Sequence, residues 1–427
     1  MADNTTSPAP NVGRAAFTFI LIMVAFDFLA FGIIVPVLPD LIRSFEGGDF
    51  ARASAVTGYF GFAWNAMQFI FSPLLGAWSD RFGRRPVILI SCFGLSIDYI
   101  FMALAPSLTW LFVGRLISGV TASNVSTAFA YITDVTPPEK RPKQFGLISA
   151  AFGLGFIVGP AVGGYLGNIN LRFPFWAAAA LSLANALYGY FILPESLPPQ
   201  RRAKSAWQMA NPLGSLNLFR SHAELAGLAV VTSLYYLAHQ ALQTVYVLYT
   251  EYRYAWNQRD IGFSLGVVGV SAAIVSGVLV GPFVKHFGER RSMLCGLFFG
   301  TLGFASFALA TRGWILLAII PFIALWGIAA PAMQSLMSRR VDPSSQGKLQ
   351  GAINSLRAIT GMAGPILFTQ VFAFAISARF SLHLPGAPYF LAGLLLLSSL
   401  LLAIYVTRPN EPTQSCAQAS SGLNPSE

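Results

Sequence analysis

Charge is scarce in this chain: Asp, Glu, Lys and Arg make up only 10% of its 427 residues, while 55% are hydrophobic. An ordinary soluble domain carries roughly 25% charge, so a water-facing globular surface is excluded. Cysteine is scarcer still. The three copies, Cys92, Cys295 and Cys416, are odd in number and far apart, which excludes a disulfide framework and matches no thiolate metal spacing. There is no Cys/His cluster, nucleophile motif or phosphate-binding loop, so an enzyme is not expected and no catalytic or metal-binding residue is assigned. Acids are the rarer sign, 17 against 27 Lys and Arg, for a net charge of +10. A nucleic-acid binder clusters its bases on one face of a polar domain; here they fall in short loops between apolar segments, which excludes nucleic acid as a partner.

What the chain has instead is hydrophobic length. A helix needs about 20 mostly apolar residues to cross a hydrocarbon core of about 30 Å. Twelve segments qualify: 15–38, 55–78, 87–105, 109–133, 145–166, 173–193, 224–249, 261–284, 292–310, 314–337, 349–375 and 386–407. The first 14 residues are polar and run straight into the first segment without a small-residue cleavage pattern, so an uncleaved first span is expected rather than a signal peptide. The longest polar interruption falls between the sixth and seventh spans. The expected organisation is a cytoplasmic tail over 1–14, a six-helix bundle over 15–193, a central cytoplasmic loop over 194–222, a second six-helix bundle over 223–408, and a Pro-, Ser- and Gln-rich tail over 409–427 whose composition predicts disorder. The fold class is all-α and polytopic.

Between the second and third spans lies Gly76-Ala77-Trp78-Ser79-Asp80-Arg81-Phe82-Gly83-Arg84-Arg85-Pro86, one acid and three arginines in a tight turn. Charged side chains are costly in hydrocarbon, and cytoplasmic loops collect Lys and Arg, so this turn marks the cytoplasmic surface. With both termini inside, eighteen of the 27 basic residues fall on the cytoplasmic side and seven in outer loops, while Arg115 and Arg357 lie inside spans. A second copy of the turn stands between the eighth and ninth spans, Gly281-Pro282-Phe283-Val284-Lys285-His286-Phe287-Gly288-Glu289-Arg290-Arg291. The glycines and the basic end repeat, but the acid at the fifth position has become Lys285, so the copy reads as degenerate. Transporters are often built from such repeats, with the substrate at the repeat interface.

Twelve spans, a long central loop and this repeated turn resemble the major facilitator superfamily over nearly the whole chain. In the fifth span, Gly155, Gly159, Pro160, Gly163 and Gly164 resemble the motif of that superfamily's drug/proton antiporters; glycines so spaced let helices approach closely. The likeness is closer to the bacterial tetracycline/proton antiporters. It is carried by Asp27 before Phe31-Gly32-Ile33-Ile34-Val35-Pro36, by Met67-Gln68-Phe69 leading to Ser72-Pro73, by Asp98-Tyr99, by Gly114-Arg115, by Thr250-Glu251, by Pro331-Ala332-Met333-Gln334 and by Gly364-Pro365. Two positions depart from that family: aligned without gaps, it has an acid where this chain has Gly300 and a histidine where it has Ala272, both tied to proton coupling. Either coupling runs through the N-terminal half, or the substrate differs.

An ionisable group within a span is a candidate functional site. Asp27 sits among Phe26, Phe28, Leu29 and Phe31; it is either a proton carrier or a carboxylate held by a serine, an amide or Arg357. Asp98 is either a second carrier or is held by the hydroxyl of Tyr99 or by Arg115. Arg115 cannot readily lose its proton and needs acceptors at depth; the resemblance links it to proton coupling. The resemblance also implies a charge relay of Asp80, Arg81, Arg84, Arg85 and Asp134 that holds the inward gate shut when paired, the alternative being solvated surface pairs. The expected substrate cavity draws on Asn65, Gln68, Asn124, His239, Gln240, Gln243, Gln334, Asn354 and Arg357, each of which could instead be an interhelical hydrogen bond. Arg357 could receive an anionic substrate or pair with Asp27, and His239 could replace the histidine missing from the eighth span.

The resemblance implies twelve helices in two pseudo-symmetric six-helix bundles and a proton-coupled efflux transporter working by alternating access, with tetracycline-type antibiotics as leading cargo. The alternatives are a major facilitator transporter of another drug or metabolite, with coupling confined to the N-terminal half, and a non-transporting sensor. The expected partners are a small-molecule substrate, protons and the lipid bilayer. No resident cofactor is expected, although a divalent cation can travel with a tetracycline. The expected setting is the bacterial inner membrane, with both termini cytoplasmic and a functional monomer.

Overall fold

In hydrocarbon every backbone N–H and C=O must be satisfied within the protein, so long apolar runs become helices. The computed structural model describes residues 10–121, 124–203, 216, 218–219, 223–342, 345–377 and 383–408, and its regular elements there are all helical. Residues 1–9, most of the central loop and 409–427, which carry several of the sequence expectations, lie outside the described residues, while 10–14, expected in the N-terminal tail, open the first helix. The N-terminal helices are α1 (Pro10–Ile34), α2 (Leu38–Phe45), α3 (Phe50–Phe82), α4 (Arg84–Leu104), α5 (Leu108–Thr121), α6 (Asn124–Val135), α7 (Arg141–Ile169) and α8 (Phe173–Ile192). The C-terminal helices are α9 (Ala223–Tyr254), α10 (Gln258–Ile274), α11 (Val280–Leu309), α12 (Gly313–Ala324), α13 (Ala329–Ser338), α14 (Gln346–Ile376) and α15 (Ala387–Val406).

Local chemistry sets several boundaries. The Asp49 carboxylate accepts from the Ala51 and Arg52 N–H groups at the start of α3. Asn257 and Asp260 form a reciprocal capping box at the start of α10, satisfying donors that a helix N-terminus leaves orphaned. The expected spans map onto these helices with local differences. The fourth is shared by α5 and α6, and the tenth by α12 and α13 through a short 3₁₀ stretch. The eighth runs through a π-helical segment, Val275–Leu279, into the first part of α11, and the chain turns into the ninth at Gly288, where φ is +76°. Between the first two spans the sequence reading had no helix, yet Leu38–Phe45 forms the short α2. Large apolar side chains stand on the outer surface, with Phe191 76% and Tyr405 69% exposed. In water they would be a liability; facing lipid they are matched to their solvent.

Buried side chains gather in one large cluster drawn only from Phe219 onward and two drawn only from residues up to Leu193. Each bundle therefore packs around its own core, and the two meet chiefly through α3 against α14 and α7 against α10. The meeting is tightest at one end. A methyl on Gly262 of α10 would run into the Pro160 carbonyl of α7, and one on Gly61 of α3 into the Pro365 ring of α14. The Ser54 hydroxyl donates to the Thr369 carbonyl at 3.0 Å at this same end. Toward the other end, which carries the arginine-rich turns, a methyl at Gly76, Gly146, Gly281 or Gly347 would meet nothing within 4 Å. The bundles are joined at one end and parted at the other.

Candidate functional site

Helices α1, α4, α5 and α8 bring a polar cluster into the N-terminal bundle. Asn185 donates its Nδ2 to Asp27 Oδ1 at 2.8 Å and to the Met23 carbonyl at 2.9 Å. An amide therefore holds Asp27, and Arg357 does not. Asp98 is fully buried and neither of its carboxyl oxygens has a hydrogen-bond partner. Arg115 and Ser118 face it from α5. The Arg115 guanidinium lies 5.1 Å from the centre of the Trp64 ring, and its Nε is buried without a partner. A buried acid and a half-buried base thus lie close together without closing an ion pair, an arrangement that costs several kcal/mol when a buried charge stays uncompensated. Asn185 was missed by sequence reasoning, since an amide in an apolar run carries no signal of its partner.

The α7 glycines sit at close helix approaches. Gly155, Gly159 and Gly163 lie directly against Phe28, Gly32 and Ile33 of α1, while Gly164 lies against Gln258 and Gly262 of α10. Pro160 sits inside the helix, its ring against Gly32 and its carbonyl against Gly262. One helix thus touches the acid-bearing α1 on one face and the other bundle on the next.

At the parted end, the Arg84 guanidinium joins three side chains: Asp80 at 2.5 Å, Asp134 at 3.1 Å and the Ser79 hydroxyl at 2.9 Å. The Ser196 hydroxyl donates to Asp134 at 3.1 Å. Glu195, not anticipated from sequence, accepts the N–H groups of Arg84 at 2.9 Å and Arg85 at 3.3 Å, placing a carboxylate at the positive end of the α4 dipole. Gly83, at φ +107°, makes this possible, because a side chain there would strike Glu195. Arg85 also donates to the Tyr190 carbonyl at 2.5 Å, and Arg81 is exposed, lying over the Phe82 ring. All these partners belong to the N-terminal bundle or to the start of the central loop, and none to the C-terminal bundle. The relay is paired while its end of the molecule stands parted, so in this conformation it ties α3, α4 and α6 together rather than joining the two bundles.

The second copy of the turn is not simply degenerate. At its ninth position, where the first copy has Arg84, Glu289 accepts from the Ser335 hydroxyl at 2.6 Å and pairs with Arg339 at 2.7 Å. The first copy sets an arginine between two acids; the second sets an acid against an arginine, with the exposed Lys285 at the fifth position. The charge pattern has changed sign.

At the joined end a further cluster spans the bundles. Arg43 of α2 pairs with Asp40 at 2.7 Å and with Glu251 of α9 at 2.6 Å. Gln258 of α10 donates to Asp40 at 2.9 Å, and the Phe50 and Tyr252 rings meet edge to face, centres 5.3 Å apart. Sequence reasoning placed Arg43 in an outer loop and gave it no role, because its partner Glu251 is more than 200 residues away.

The expected cavity residues divide. Asn65 lies beside Gly361 of α14, with the Gln240 side chain packed along Gly361 and Gly364. Gln68 is half-buried on the same helix as Asn65. Arg357 is exposed, donates to the Tyr236 hydroxyl at 2.6 Å and sits 4.6 Å from that ring's centre. His239 stacks on Trp326, ring centres 5.2 Å apart. Asn354 and Gln243 are exposed, and Gln334 donates to Gln350 at 3.2 Å. The side chain of Asn124 lies outside the described residues. Gly300 is buried, and a side chain there would meet Leu396 and Trp326. The room an acid would need is filled by those two residues.

Two six-helix bundles joined through glycine-lined contacts, with titratable groups inside and ion pairs at both ends, define a polytopic membrane carrier rather than an enzyme. The chain belongs to the Major Facilitator Superfamily, whose family model matches residues 20–365. It is 39% identical over 365 residues to the class C tetracycline resistance protein of Escherichia coli, covering 85% of this chain and 91% of that one. It is 37% identical to the class E protein of Escherichia coli, covering 83% and 87%. Among solved structures it is similar to the human organic anion transporter MFSD10 (TETRAN), at 25% identity and a TM-score of 0.67, covering 93% of this chain and all of that one. The nucleoside transporter NupG, 16% identical with a TM-score of 0.68 and coverage of 92% and 98%, shares the fold.

Proposed function

We propose that this protein is a proton-coupled efflux transporter of the bacterial inner membrane that exports tetracycline-type antibiotics by alternating access. The observation that carries the reading is the polar cluster of the buried Asp98 with the half-buried Asp27 and Arg115 in a chain 39% identical to a tetracycline resistance protein. With the arginine-rich end cytoplasmic, as the positive-inside rule favours, the parted end faces inward and the Arg43–Glu251 latch closes the outer end. Cargo enters from the cytoplasm, and a proton exchanged at the acid cluster biases which end is closed. The motion turns on α7, which touches both α1 and α10. A tetracycline can carry a divalent cation with it, and one chain holds all the parts named, so a monomer suffices.

A second reading keeps the exporter and changes the cargo, with coupling confined to the N-terminal bundle. The packing that occupies the Gly300 site favours it, because it leaves α11 no room for an acid. Uptake of labelled tetracycline into inside-out vesicles, with and without a pH gradient, separates the two. Gradient-dependent uptake supports the first; its absence, with another drug accumulated instead, supports the second.

A further inference from the structure

On the C-terminal bundle, toward the parted end, stands a cation with no ion pair among the described residues. Arg357 is an exposed cation in the lower half of a membrane helix, between Leu356 and Ala358. An arginine at such depth is held by a carboxylate, by carbonyls or by a ligand. Here Tyr236 takes one of its five N–H donors and its ring lies against the guanidinium; no ion pair forms with it among the described residues. One turn along α9 from Tyr236, His239 is stacked on Trp326 at an interplanar angle of 17°. Gln240 follows and faces Asn65 of the opposite bundle across Gly361. A cation with unused donors therefore stands beside an aromatic stack, just below the level at which the two bundles meet.

We propose that Arg357, seated on Tyr236 beside the His239–Trp326 stack, binds the anionic edge of a flat aromatic cargo. The guanidinium fork takes two oxygens of a delocalised anion while the aromatic walls take the ring system. This selects aromatic anions over neutral rings of the same shape, a chemistry shared by the enolate edge of a tetracycline and by an aromatic carboxylate or sulfonate. It rests on the reading of the chain as a carrier of small molecules.

The test is calorimetric binding of naphthalene-2-sulfonate, and of the neutral naphthalene-2-sulfonamide, to the purified full-length protein in detergent. The proposal expects saturable sulfonate binding, at least tenfold tighter than sulfonamide. Binding should weaken at least tenfold in Arg357→Gln and be partly kept in Arg357→Lys, with both variants eluting as the wild type does. Absence of sulfonate binding, equal binding of the two probes, or equal binding by wild type and Arg357→Gln overturns it. Displacement of the sulfonate by tetracycline assigns the seat to that cargo, and lack of displacement assigns it to an aromatic acid. Since binding is read without transport, tetracycline uptake in vesicles can fail while Arg357-dependent binding stands, and the reverse.

Discussion

Arg43 and Glu251 meet at 2.6 Å across the boundary between the two bundles, and this pair, with Gln258 on Asp40, is what a change of access must break. The side chains are 26% and 13% exposed, so the pair is worth more than a surface bridge and less than a buried one, about 1–3 kcal/mol. Replacing Glu251 with Gln is expected to bias the protein toward opening at this end. Labelling of a Ser54→Cys variant by a membrane-impermeant maleimide should rise several-fold; unchanged labelling would remove the latch.

Asp27 is held by an amide rather than a cation, so Asp27→Asn changes charge while leaving the shape of the contact. We expect gradient-driven uptake in inside-out vesicles to fall at least tenfold, while substrate counterflow, which needs no net proton movement, persists. Loss of both together would mark Asp27 as a structural residue instead.

Two glycines of α7 should respond in opposite ways to the same substitution. At Gly164 a methyl would strike the Gln258 carbonyl and Gly262 on the other bundle, whereas at Gly153 it meets nothing within 4 Å. Overpacking typically costs about 1–3 kcal/mol, and Ala in an open helix position gains up to about 1 kcal/mol over Gly. Thermal unfolding in detergent should therefore drop for Gly164→Ala and hold or rise for Gly153→Ala.

The sign-reversed second turn predicts a rescue. Glu289→Arg alone sets like charges together and should lower expression and activity; adding Arg339→Glu should recover most of the loss. Because Arg339 is 74% exposed, the coupling in a double-mutant cycle should be modest, about 0.2–1 kcal/mol. Zero coupling would show that Glu289 acts through Ser335 alone.

Much of this was legible in the residues. Hydrophobic length and the Lys/Arg bias carry the number of crossings because the bilayer imposes one dimension on every helix, and Gly83 and Gly288 mark both turns because only a left-handed residue serves there. The partner of each polar group was not legible. Nothing near Asp27 in sequence points to Asn185, and the second turn read as degenerate because its acid had moved from the fifth position to the ninth.

What the chain alone determined, then, is how many helices form and where charge may sit, since solvation in lipid acts on each segment independently of its neighbours. The tertiary structure decided which end is closed, which acid lacks a partner, and why no acid fits at 300, where Leu396 and Trp326 already fill the space. Those outcomes depend on contacts between segments hundreds of residues apart, and no local rule of solvation or propensity specifies them.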